Sequence, residues 1–270
     1  MNPGMGGASG PIEAVLFDLH STVLDQGPSA QWLAAAAQLL PAGHCALDAR
    51  AAGSRRPWSP ASGSSGSSES SGAGGLAPGT SVLDHPALHA GLDHLWDTAK
   101  VDDPQSLRDL DPNAHRELFV AMIGRLPLAE PLSPDVVDAL YATQFAAWHA
   151  YADAAPTLTA LQALGVRTAA VSNICHDVRP LLARVGLLDL FDTVVLSFQV
   201  GAVKPDAAIF DAALAALGVE AGAALMVGDS VDADGGAARH GIRTLVLPRT
   251  SGPEHGLGAV LGLVRATRPA

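Results

Sequence analysis

The sequence predicts an α/β protein, a doubly wound parallel sheet with a block of helices inserted after its first strand. Three observations lead there. Short apolar runs alternate with helical patterns through the second half of the chain, one more run of the same kind stands alone near the N-terminus, and helical periodicity without strands fills the interval between.

The lone run is 12–17, a continuous apolar stretch of the kind a strand covered on both faces requires. Residues 29–40 begin with a capping Ser29, continue in strong helix formers and stop at Pro41 and Gly43, which predicts the first helix. Helical patterns follow at 86–100, 113–126 and 134–151, the last with Val136, Val137, Leu140, Tyr141, Phe145 and Trp148 at helical spacing. The period then changes. Helices are predicted at 156–164, 177–185, 206–217 and 236–240, and strands at 167–171, 193–196, 223–227 and 243–247. This alternation argues parallel βα units to which the N-terminal run belongs. The expected domains are therefore a sheet core at 11–24 and 153–270 and a helical insertion at 25–152. Within the insertion, residues 53–79 are Ser, Gly, Pro and Ala with almost no apolar anchor, a composition that predicts a disordered loop.

Bulk properties narrow the function. A chain of 270 residues buries a substantial core, and 16 Lys and Arg against 27 Asp and Glu give a formal charge of −11. That field repels nucleic acid and anionic membrane, so small substrates brought with a cation fit better. Cys45 and Cys175 stand far apart without a CxxC or Cys/His framework, which suggests neither a disulfide scaffold nor a structural zinc site and is consistent with a reducing cytoplasm. No basic leader with a long apolar stretch opens the chain, and no segment approaches the roughly 18 to 20 apolar residues of a membrane span. A cytoplasmic, unexported protein is expected.

In an open parallel sheet the ligand lies beyond the carboxyl ends of the strands. Four such ends carry or lead to polar residues: Asp18; Ser172-Asn173; Gly201-Ala202-Val203-Lys204-Pro205-Asp206; and Gly228-Asp229-Ser230-Val231-Asp232-Ala233-Asp234. A carboxylate nucleophile, a hydroxyl, a lysine and an acidic pair are the set that phosphoryl transfer requires: an attacking oxygen, donors to phosphoryl oxygens, and acids for a divalent cation.

The four segments, in this order, resemble the motifs of the haloacid dehalogenase-like (HAD) hydrolases. The resemblance covers about 11–24 and 153–250, and the helical insertion falls where that superfamily carries a helical cap on a Rossmann-like core. It implies that Asp18 becomes an aspartyl-phosphate, that Thr22 orients it, that Ser172 and Asn173 bind the phosphoryl group, and that Lys204 neutralises nucleophile and phosphate. It further implies Mg²⁺ as cofactor, held by Asp18, Asp229, Asp234 and the backbone carbonyl of His20.

One residue departs from the pattern. Phosphatases of the superfamily carry a second aspartate, as general acid and base, where this chain has His20. An imidazole with an ordinary pKa of about 6.5 is suited to the same proton transfers. Three functions follow: a Mg²⁺-dependent phosphatase of a small phosphorylated metabolite; a HAD-fold module that binds a metabolite or protein with little or no turnover; and a metal-free 2-haloacid dehalogenase, against which Asp229 counts because those enzymes do not keep an acid there.

Other polar residues read as structural. His85, His89, Asp93 and His94 are expected on the polar side of a helix whose other side carries Leu88, Leu92, Leu95 and Trp96. Cys175 is expected to be an idle loop thiol. Trp148, His149 and Tyr151 are expected in core and hinge packing.

Overall fold

The computed structural model of the chain describes residues 10–41, 81–128 and 130–268. The loop expected at 53–79 and Cys45 lie outside these residues. In chain order the elements are β1 (Ala14–Phe17), β2 (Leu24–Asp25), α1 (Ser29–Leu39), α2 (Pro86–Asp93), α3 (Leu95–Asp102), α4 (Pro112–Ile123), α5 (Pro134–Ala142) and β3 (His149–Ala150). They continue with α6 (Ala154–Ala163), β4 (Arg167–Ser172), α7 (Arg179–Arg184), β5 (Thr193–Leu196), α8 (Ser197–Val200), α9 (Ala207–Leu217), β6 (Ala224–Gly228), β7 (Arg243–Val246) and α10 (Gly258–Ala266).

Contacts divide the chain into two units. The first comprises Met1–Gly27, Ala99–Phe119 and Ala147–Ala270, and the second Pro28–Thr98 and Val120–Ala146. The segment Ala99–Phe119, within the expected insertion, groups with the sheet strands in the first unit.

In the first unit five strands run in the order β5-β4-β1-β6-β7, with every neighbouring pair parallel. All four residues of β1 are buried, which is why its sequence reads as an unbroken apolar run. Side chains alternate across the pleat. Ala14 and Leu16 share one cluster with Ala169, Val171 and Met226, and with Ile209, Phe210, Ala213 and Leu214 of α9. Asp206 caps α9, its carboxylate accepting from the Ala208 amide at 2.9 Å. Gly218, at φ 62°, ends it, and the following Val219 amide returns to the Leu214 carbonyl at 3.1 Å.

In the second unit, α1 packs on α5 and α2. The Trp32 indole donates to the Leu140 carbonyl at 2.8 Å. The Ser29 amide donates to Asp93 at 3.0 Å and its hydroxyl lies 3.1 Å from His89 Nδ1, while His85 Nδ1 accepts from the Ala87 amide at the start of α2. His85, His89 and Asp93 thus hold helix ends together.

The helical pattern at 86–100 is two helices, broken at His94. That at 134–151 ends at Ala142, where the Thr143 hydroxyl takes the Ala139 carbonyl at 2.7 Å. Its apolar spacing runs on because Ala147 and Trp148 are buried for another reason, beside a short antiparallel ribbon in which Leu24 pairs with Ala150 and Asp25 with His149. Among the described residues no helix is long and apolar enough to cross a membrane.

Candidate active site

From β1 the chain builds β4 and β5 on one side, then returns to build β6 and β7 on the other. The carboxyl end of β1 is therefore the point where strand order reverses, and where a crevice opens in such sheets. Asp18 is the next residue, tied to the neighbouring strand by its amide, which donates to the Val227 carbonyl at 2.9 Å. The chain then turns tightly, the Thr22, Val23 and Leu24 amides all directed at the Leu19 carbonyl. This turn returns Thr22 over Asp18, where its hydroxyl donates to Asp18 Oδ2 at 3.3 Å.

Lys204 is the hub. Its ammonium donates to Asp18 Oδ1 at 2.6 Å, to Asp234 Oδ1 at 2.7 Å and to the Val171 carbonyl at 2.9 Å, with only 4% of the residue exposed. The other oxygen of Asp234 accepts from the Ser230 amide at 2.9 Å. Gly228 makes room for that carboxylate, since a Cβ there would lie 2.1 Å from Asp234 Cγ. Ser172 is buried at the end of β4. Asn173, expected at a phosphoryl group, grips the Lys204 peptide at both ends: its Oδ1 accepts from the Lys204 amide at 2.7 Å and its Nδ2 donates to the Lys204 carbonyl at 3.1 Å.

Asp18, Asp229 and Asp234 offer carboxylate oxygens all within 4.8 Å of one another. Burial, helped by the charges of Asp234 and Asp229 and opposed by Lys204, pushes the Asp18 carboxyl up to about 7. Burial also works against the Lys204 ammonium, but Asp18 and Asp234 outweigh it and hold the lysine above its ordinary range. Hard oxygen donors gathered around an excess of negative charge suit a small divalent cation such as Mg²⁺. Asp234 is the most enclosed of the three, 1% exposed against 7% for Asp18 and a half-buried Asp229.

Two partners are not signalled by the sequence. Arg249, just beyond β7, donates from Nε to Asp229 Oδ2 at 2.6 Å. Trp148 stacks on His20 with ring centroids 4.7 Å apart and planes 23° apart, and its carbonyl accepts from Arg184 at 3.1 Å. Tyr151 is buried, its hydroxyl directed at the Thr250 carbonyl, whereas His149 is exposed. Asp232 is exposed in the turn between Asp229 and Asp234.

Residues 12–241 match the family model of the haloacid dehalogenase-like hydrolases. The chain belongs to this family. Among curated proteins, this HAD-like hydrolase is 36% identical over 137 residues to the glyceraldehyde 3-phosphate phosphatase of Methanopyrus kandleri, a match covering 50% of this chain and 58% of that one. It is 38% identical over 123 residues to the ribulose-1,5-bisphosphate 5-phosphatase of Halopiger xanaduensis, covering 42% and 51%. The hydrolase thus spans between half and three-fifths of the length of these relatives. Among solved structures it resembles the L-2-haloacid dehalogenase of Xanthobacter autotrophicus at a TM-score of 0.57 and 22% identity, covering 94% of this chain and 84% of that one. The HAD phosphatase of Thermococcus onnurineus aligns at a TM-score of 0.51 and 23% identity, covering 93% and 98%. These likenesses show the fold.

Proposed function

We propose that the chain is a Mg²⁺-dependent phosphatase acting on a small phosphorylated metabolite through an aspartyl-phosphate. The observation that carries this reading is the buried Lys204 bridge between Asp18 and Asp234 with Asp229 alongside, an acidic trio that a cation and a phosphate would complete together. The phosphatase names of the two curated relatives point the same way.

Asp18 and Asp229, with Asp234 behind them and the His20 carbonyl, would hold the cation. Bound there, Mg²⁺ would neutralise carboxylate and phosphoryl charge. Asp18 is the nucleophile. Its Oδ attacks phosphorus as the bond from phosphorus to the ester oxygen breaks, and His20 gives that departing oxygen a proton. Water then attacks the acyl phosphate, His20 takes the water proton, and Asp18 and inorganic phosphate are released. Thr22 fixes the carboxylate, Ser172 donates to a phosphoryl oxygen, Asn173 sets the position of Lys204, and Lys204 balances charge on nucleophile and phosphate. The setting is intracellular, with a small molecule as the partner.

Phosphate release from a panel of small phosphate esters, with and without Mg²⁺, tests the reading. Mg²⁺-dependent release that vanishes in Asp18→Asn is expected, since an amide keeps the shape but does not attack phosphorus. Residual hydrolysis within about tenfold of the parent would place the nucleophile elsewhere.

One observation favours a second reading. Arg249 neutralises Asp229, which would suit a metal-free site in which Asp18 displaces halide from carbon. Halide release from a 2-haloacid in a chelator, without phosphate release from any ester, would establish it.

A further inference from the structure

A second group of metal-ligating side chains lies in the first unit and shares no residue with the acidic trio. His115 sits in the first turn of α4, and Cys175 and His176 lie in the loop that follows β4. Each offers one ligand atom, and no two of these atoms are more than 4.8 Å apart. His115 and Cys175 are buried and His176 half-buried, with the two imidazoles edge to face at 4.9 Å. The surrounding backbone is held. Ser197 Oγ lies 2.6 Å from the Asp109 carbonyl and accepts from the Ile174 amide at 2.8 Å, while Arg108 is ion-paired to Asp103 and Asp109 at 3.2 Å each.

We propose that His115, Cys175 and His176 form a binding site for a thiophilic divalent transition-metal ion, best suited to zinc. A tetrahedral zinc with bonds of about 2.0 to 2.3 Å places its donor atoms roughly 3.3 to 3.8 Å apart, so small rotations of the imidazoles from the present separations close the site. One thiolate and two imidazoles are borderline-soft donors that select zinc over magnesium, whereas the carboxylates around Asp18 do the reverse. Three protein donors leave the fourth position to a water or an added ligand. On binding, the Cys175 thiol releases its proton to solvent and no redox change occurs. Such an ion would staple α4 to the loop carrying Asn173, and through Asn173 would steady the Lys204 peptide.

The test uses the full chain, stripped with a chelator and titrated with Co²⁺ as a spectroscopic substitute for zinc. One thiolate-to-cobalt charge-transfer band, saturating at one ion per chain, is expected. It should persist in Cys45→Ser and vanish in Cys175→Ser. His115→Gln and His176→Gln should each weaken zinc binding about tenfold or more, since even groups behind metal ligands are worth about 10-fold to 100-fold. Circular dichroism checks the fold of each variant. If Cys175→Ser does not fold, the two histidine variants decide the matter through the cobalt titration. Absence of the band at saturating cobalt in the parent chain overturns the proposal, as does a band that survives Cys175→Ser or is unchanged in both histidine variants.

Discussion

At the residue scale the most consequential contact is the stack of Trp148 on His20. A side chain asked to protonate a leaving group must be held within hydrogen-bond reach of it, and an aromatic face restricts how the imidazole turns. His20→Ala should therefore cost more on alkyl phosphates, whose alkoxide needs a proton, than on aryl or acyl phosphates, with a loss bounded by about 10² to 10⁴ in kcat. Trp148→Leu should show the same leaving-group dependence at smaller size and add little in the double variant, which a comparison of the two ester types reads directly. Equal losses on both esters would leave His20 a geometric role only.

Asp18 carries a second prediction at this scale. Its folded pKa, about 7, lies above the ordinary 3.8, so the folded chain binds this proton more tightly than the unfolded chain does. The stabilisation is full below pH 3.8 and is lost as pH rises through about 7. In a chelator, the stability of Asp18→Asn relative to the parent should thus grow between these values and level off above them. Urea midpoints across that range measure it.

At the element scale, α10 and the loop before it depend on one carboxylate. Asp153 accepts from the His255, Gly256 and Leu257 amides at 3.0, 2.8 and 2.7 Å, just ahead of the helix. Asp153→Ala leaves three donors to find water and should cost about 1 to 3 kcal/mol in chemical denaturation. The segment after β7 supplies another test. Arg249 holds the carboxylate a cation would need, so Arg249→Ala should lower the Mg²⁺ concentration giving half-maximal activity, and Arg249→Glu should not rescue the parent behaviour.

These same elements mark how far the sequence was legible. Asp18, Thr22, Lys204 and Asp234 were identifiable because they lie at or beyond strand ends, which converge in a parallel sheet, and because their spacing and order resemble the family's motifs. The expected bounds of β5 match those observed, and those of α1, α6, α7 and α9 lie within a residue or two of theirs. The sequence did not show α10, whose Gly258 and Gly262 weaken the local pattern and whose start is held by a residue far away in sequence. Nor could it pair Trp148 with His20 or Arg249 with Asp229, since no local spacing relates them. The helical pattern past Ala142 misled for a physical reason: burial of Trp148 beside a ribbon produces the same apolar spacing as a helix face.

At the scale of the whole molecule, the central strand is also the earliest made. Ala14 pairs with Arg167 on one side and with Ala224 on the other, so both neighbours of β1 are encoded far downstream. At bacterial or eukaryotic translation speeds of about 5 to 20 residues per second, β1 waits roughly 10 to 40 seconds before its second partner leaves the ribosome. For that interval an apolar tetrapeptide with at least one open edge, and with both open until β4 is made, is attached to a growing chain. The strand that leads into Asp18 is thus open for a long time to chaperones, and to wrong partners, during biosynthesis.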